Sequence, residues 1–232
     1  MKLRAAFCAA LIAGALVAAA PKLLDSQVVL QRYELVLAAL PTPKAMIFSY
    51  SVSQAGPTNI EQRHLIYRSG TRVRDETIAV DGIPLSRKIT RIYRRVDRYA
   101  VRRLAPRPGV YGFVFLRAGK VDGHLAYVYD AIPYVKSAVG FTVTRLIIDA
   151  KTYLPMRLDF TSVSGTALGN GEIDYAPFGA YWMPVFVSVN AHVDGRPARE
   201  RISFEDYSFP PSLPDSTFRA PHPLPHPTLP AF

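Results

Sequence analysis

The sequence predicts a mainly β protein of the α+β kind, an antiparallel meander curled into a barrel or half-barrel against one N-terminal amphipathic helix. Three observations predict it. Apolar residues alternate with polar ones at every second position through most of the chain, Asx-Gly pairs punctuate those runs, and only one stretch carries a helical period. With 232 residues, 49% of them hydrophobic and 20% charged, the chain can bury a sizeable core and does not have the composition of a disordered polymer.

The first twenty residues stand apart. Lys2 and Arg4 precede an uncharged run from Ala5 to Ala20, the charged, apolar and small-residue order of a secretory signal. That run of 16 residues is shorter than the ~20 that span a bilayer. Residues 1–20 are therefore read as a signal, 21–218 as one domain and 219–232 as a tail, in a protein exported to the periplasm or cell envelope. Cleavage would remove Cys8, the only cysteine, and leave no disulfide, thiol nucleophile or thiolate metal site.

Residues 22–40 are expected to form the helix. Asp25 or Ser26 can cap its start, Pro41 stops it, and Val29, Tyr33, Val36 and Leu40 fall on one stripe. After Pro43 the period changes to two. Phe48, Tyr50 and Val52 alternate with serines, Leu158 and Phe160 with Arg157, Asp159 and Thr161, and Met183 to Val193 makes a longer series. Strands are expected near 45–54, 60–68, 71–80, 86–94, 98–104, 124–131, 141–149, 155–164, 169–175, 182–193 and 199–208. Short helical turns fit 108–118 and 131–140. Asp81-Gly82, Asp122-Gly123, Asn170-Gly171 and Asp194-Gly195 read as hairpin turns, with Ser69-Gly70 and Ser164-Gly165 as two more. From Pro210 onward eight of 23 residues are proline, the composition of an extended tail.

Few chemistries are written in the residues. There is no G-x-S-x-G elbow, and His64, His124 and His192 read as strand residues facing solvent or a polar partner. His222 and His226 are four apart, but in the proline tail, where nothing holds them on one face. Asp75/Glu76 and Glu205/Asp206 are adjacent on strands and point to opposite faces. The Gly165–Gly171 stretch lacks the lysine and helix of a phosphate loop. No catalytic residue, cofactor or metal is expected. One charge feature stands out. Residues 87–107 hold nine Arg or Lys and one Asp, interleaved with Ile89, Ile92, Tyr93, Val96, Tyr99, Val101 and Leu104. This reads as a folded hairpin with a basic face, in which Arg94, Arg95, Arg98, Arg102 and Arg103 can meet an anionic membrane surface or an acidic envelope protein. The plainer alternative is a solvated strand face. Nucleic acid fits poorly with export.

The segment from Leu146 to Arg157, with Asp149, Thr152, Leu154 and Pro155 in the pattern hydrophobic–Asp–x–x–Thr–x–Leu–Pro, resembles the periplasmic lipoprotein-carrier superfamily (LolA/LolB-like and related outer-membrane lipoprotein-sorting proteins). Tyr67–Arg74, Ile173–Tyr175, Tyr181–Pro184 and Ile202–Tyr207 are further matches, and together they cover residues 22–218. The resemblance implies an unclosed, strongly curved sheet, a half-barrel, wrapped on helix and enclosing an apolar cavity for acyl chains. By their alternation Phe48, Tyr50, Leu158, Phe160, Val185 and Val187 are the candidates for its ligand-facing side. The function expected is a non-enzymatic protein that binds lipid or lipoprotein acyl chains. An envelope sensor or interaction module, and below it an exported hydrolase, are the alternatives.

Overall fold

The structure, a computed structural model, describes residues 24–56, 59–135, 140–164, 167–193 and 195–219. The segment read as a signal, residues 220–232 with His222 and His226, Gly165 and Asp194 lie outside the described residues.

The helix α1 runs from Ser26 to Ala39, and Asp25 caps it by accepting the Gln27 N–H at 2.8 Å. It buries Val29, Tyr33 and Leu37. Steps of four keep these three on one line, so the stripe passes through Leu37, and Val36 and Leu40 are only half-buried.

Eleven strands follow: β1 (Ala45–Ala55), β2 (Ile60–Ser69), β3 (Arg72–Val80), β4 (Ile83–Arg94), then, after a helical turn α2 (Val101–Leu104), β5 (Tyr111–Val121), β6 (His124–Pro133), β7 (Gly140–Asp149), β8 (Pro155–Ser164), β9 (Ala167–Phe178), β10 (Tyr181–Val193) and β11 (Arg196–Ser208). They make one open, curled antiparallel sheet in the order β4-β3-β2-β1-β11-β10-β9-β8-β7-β6-β5. Two meanders thus meet where the first strand pairs with the last, and β4 and β5 are the free edges. Asp81-Gly82 (φ 49° and 76°) and Asp122-Gly123 (φ 48° and 84°) turn the chain with the two positive φ values that a two-residue type I′ hairpin requires.

Four expectations are corrected. Residues 98–104 are not a strand: Val101 and Ala105, four apart, are buried together, and a single helical turn puts both inward while Arg102 and Arg103 stay exposed. The basic run is therefore an edge strand followed by a crossing segment, not a hairpin. Residues 108–118, expected as a helical turn, hold most of β5, whose alternation is blurred by a bulge between Phe115 and Arg117 and by the exposure of Val114, Phe115 and Leu116 on a sheet edge. Asn170-Gly171 lies inside β9 and makes no turn.

The core lies on the inner face, between α1 and the sheet. Val29, Tyr33 and Leu37 meet Tyr127, Tyr129, Leu146, Ile148, Leu158, Ile173 and Val187 there, each large apolar side chain gaining ~1.5–3 kcal/mol from full burial. A second cluster gathers Met46, Phe48, Ile66, Val73 and Met183. Ala126, Val128 and Ile147 form a third on the opposite face of β6 and β7.

An arginine-rimmed hollow on the inner face

The free edges are joined to each other by residues 95–110, and this connector crosses the inner face. Its fixings are specific. The Tyr33 hydroxyl donates to the Pro106 carbonyl at 2.6 Å, the Tyr175 hydroxyl to the Tyr99 carbonyl at 3.1 Å, and Arg102 Nη1 to the Leu40 carbonyl at 3.2 Å. Val101 and Ala105 are buried in the main core, so apolar burial and buried hydrogen bonds act on the same few residues.

Between the first half of the connector and the sheet the core does not fill. A half-open hollow of about 660 Å³ remains, within the ~300–1,000 Å³ range of small-molecule sites. Phe141, Phe160, Val163, Val189, Ala191, Tyr99 and Leu104 give it apolar walls. The Phe141 and Phe160 rings lie 4.3 Å apart at 30° and form part of one wall. Four arginines, Arg95, Arg98, Arg103 and Arg199, also line it, against one carboxylate, Glu200. The Arg98 guanidinium sits 5.4 Å from the Tyr99 ring centre. Burial pushes the Tyr99 phenol above its ordinary pKa, with Arg98 opposing.

The residues singled out in the sequence fall in several places. Phe160 lines the hollow, and so do Arg95, Arg98 and Arg103, so two features read separately in the sequence meet at one site. Leu158 and Val187 are buried in the main core, Phe48 in the second cluster, and Tyr50 packs against both. Val185 is the residue skipped at the bulge between Pro184 and Phe186, packs in none of the three clusters and is half-buried. Arg94 is exposed on the edge strand, and Arg102 is tied to the end of α1. Sequence reading missed Phe141, Val163, Val189, Leu104 and Arg199 as lining residues. Val189 belongs to the alternating series of β10 and could have been found by carrying that series one step further.

The other chemistry-bearing groups lie elsewhere. His64 is buried, its Nδ1 2.7 Å from Asp75 Oδ1 and its ring stacked on Tyr50 at 4.6 Å. Its Nε2 faces the Gln62 amide oxygen at 3.3 Å, where a triad would need a hydroxyl. His124 and His192 are exposed. Among the described residues no three His, Cys, Asp or Glu side chains cluster as metal ligands, and no helix is long and apolar enough to cross a membrane.

No protein-family model matches the chain, and no curated protein matches it. Solved structures do match. The crystal structure of a LolA superfamily protein from Nitrosomonas europaea is 15% identical, covers 85% of this chain and 99% of that one, and gives a TM-score of 0.43. A domain described as an outer membrane lipoprotein-sorting protein from Vibrio parahaemolyticus is 16% identical over 84% of this chain and 97% of that one, with a TM-score of 0.46. A DUF1329 family protein from Desulfovibrio piger is 11% identical over 82% and 96%, with a TM-score of 0.45. The first of these belongs to the superfamily that the Asp149–Pro155 motif resembles. At such identities and TM-scores these likenesses carry no functional argument, and the function has to be read from the hollow.

Proposed function

We propose that this chain is an exported, non-catalytic binding protein that shelters the apolar chain of a lipid or lipoprotein in the hollow beneath the connector. The observation that carries this reading is the unfilled volume of about 660 Å³ walled by Phe141, Phe160, Val163 and Val189, beside the core that packs against α1. Each methylene moved from water into such a wall gains ~0.8 kcal/mol. A chain of ordinary acyl length therefore has ample driving force without any covalent step. Export is supported by the composition of residues 1–20. The purified chain, extracted with organic solvent and examined by mass spectrometry, is expected to release lipid. A clean extract together with no uptake of a neutral alkyl-pyrene would overturn the reading.

A second reading, an envelope interaction module, is favoured by one observation. The edge strand β4 is exposed along nearly its whole length, with Arg87, Lys88, Arg91 and Arg94 and no acidic residue. Charge on an edge strand also guards against unwanted pairing. Charge reversal at Arg87 and Arg91 separates the two readings: it should abolish capture of an envelope partner under the second and leave alkyl-pyrene uptake intact under the first.

A further inference from the structure

What sets the cations of the hollow apart is where they stand: four arginines line one largely apolar space with a single acid among them. On the sheet Arg63, Arg72, Arg74, Lys88, Arg145 and Arg157 each lie within 4.0 Å of a carboxylate, while the edge cations Arg87, Arg91 and Arg94 stand in solvent. Among the described residues, Arg95, Arg98, Arg103 and Arg199 have no such carboxylate. The one acid in the lining is already engaged, for Glu200 accepts from the Gln54 amide at 2.7 Å. Arg199 Nε donates to the Asn190 side chain at 3.1 Å and Arg98 rests on Tyr99. The Arg95 and Arg103 guanidinium groups have no side-chain partner among the described residues.

We propose that the hollow is built for an anionic amphiphile, a single alkyl chain ending in an oxyanion, whose head is gripped by Arg95 and Arg103 while its chain lies against Phe141 and Phe160. The inference rests on the binding reading above and adds the class of headgroup. Positive side chains at the mouth of a low-dielectric pocket concentrate the field there. A planar guanidinium also matches a carboxylate or phosphate with two parallel hydrogen bonds. Tyr99 and Leu104 follow Arg98 and Arg103 directly in the chain, so the charged rim passes into the apolar wall within one residue, as the head and first methylenes of such a ligand require.

The experiment loads the full chain with a neutral alkyl-pyrene and titrates it off with palmitate, hexadecyl phosphate and cetyl alcohol, which share one chain length, below their micellar concentrations. Palmitate or hexadecyl phosphate should displace the probe at about tenfold lower concentration than cetyl alcohol, the worth of one charge-assisted hydrogen bond. The stronger of the two identifies whether a fatty acid or a phosphate-headed lipid is the source. The gap should narrow as salt is raised. The double variant Arg95→Gln/Arg103→Gln should close the gap and leave cetyl alcohol unchanged. Arg87→Gln/Arg94→Gln, which removes the same charge away from the hollow, should preserve it, with far-ultraviolet circular dichroism showing both folded. Equal displacement by all three compounds, or a gap that survives Arg95→Gln/Arg103→Gln, overturns the headgroup inference alone. Failure of the neutral probe to bind, together with a lipid-free extract, instead overturns the carrier reading beneath it.

Discussion

Glu76 keeps its charge in a buried place. Its side chain is only 4% exposed, yet Arg74 Nη2 lies 2.6 Å and Lys88 Nζ 2.9 Å from its two oxygens. Burial pushes its pKa up, and the hydrogen bonds from Lys88 and Arg74 bring it to a net value below the usual carboxylate range. A depressed folded pKa stabilises above the unfolded value, about 4.3 for Glu, and that contribution fades as the pH falls through the lower folded value. Glu76→Gln should therefore cost about 1–3 kcal/mol at neutral pH, and the deficit should shrink in strong acid. Urea melts at pH 7 and at pH 3 check both halves. At this scale some of the sequence could be read. Asp149 was legible because its work is local: its Oδ1 accepts from Lys151 N–H, Thr152 N–H and the Thr152 hydroxyl at 2.7–3.0 Å and so closes the turn before Leu154. Gly171 was not, because its need for glycine comes from across the sheet. A Cβ there would run into the Ser188 carbonyl oxygen and lie 2.8 Å from Phe160 Cζ. Gly171→Ala should lower the melting temperature, with a cost of about 1–3 kcal/mol from overpacking, and disturb the aromatic wall of the hollow.

Among the elements, α1 was legible because fourteen consecutive residues carry one period and a capping side chain. The exchange of α2 for β5 was not. A four-residue helix offers barely one turn of periodicity, and an edge strand with apolar residues on both faces offers no clean alternation. What fixes α2 is tertiary: Val101 and Ala105 are buried in the core while Tyr33 of α1 and Tyr175 of β9 hold the connector down. Tyr33→Phe leaves the Pro106 carbonyl without its buried donor and should cost about 1–3 kcal/mol. Hydrogen exchange is expected to rise first across residues 95–110 and only later in β6 to β9, since the connector has few ladder bonds of its own. Equal protection of the connector in both proteins would refute this account of its anchoring.

For the whole molecule, the curled antiparallel sheet on one helix follows from alternation and turns, and it stands as expected. The hollow does not follow from them. It is the space left between Gln54, Leu104, Phe160 and Val189, and no local pattern encodes a missing volume. The arginines were visible as charge but not as a rim, because a strand reading of 98–104 would have spread them along a ladder. Filling the space tests its role: Ala191→Trp should weaken alkyl-pyrene uptake by about tenfold or more, ~1.4 kcal/mol, while thermal stability is kept or raised. Unchanged uptake would move the ligand elsewhere. The order of strands carries one more consequence. Because the sheet's two margins are consecutive in the chain, severing the backbone between Asp97 and Arg98 breaks no ladder, and the β1–β11 pairing, with eight matched positions, still bridges the pieces. The protein should therefore be divisible into a four-strand and a seven-strand fragment that reassemble when produced together, and any binding regained by the pair would report that the bridge had reformed.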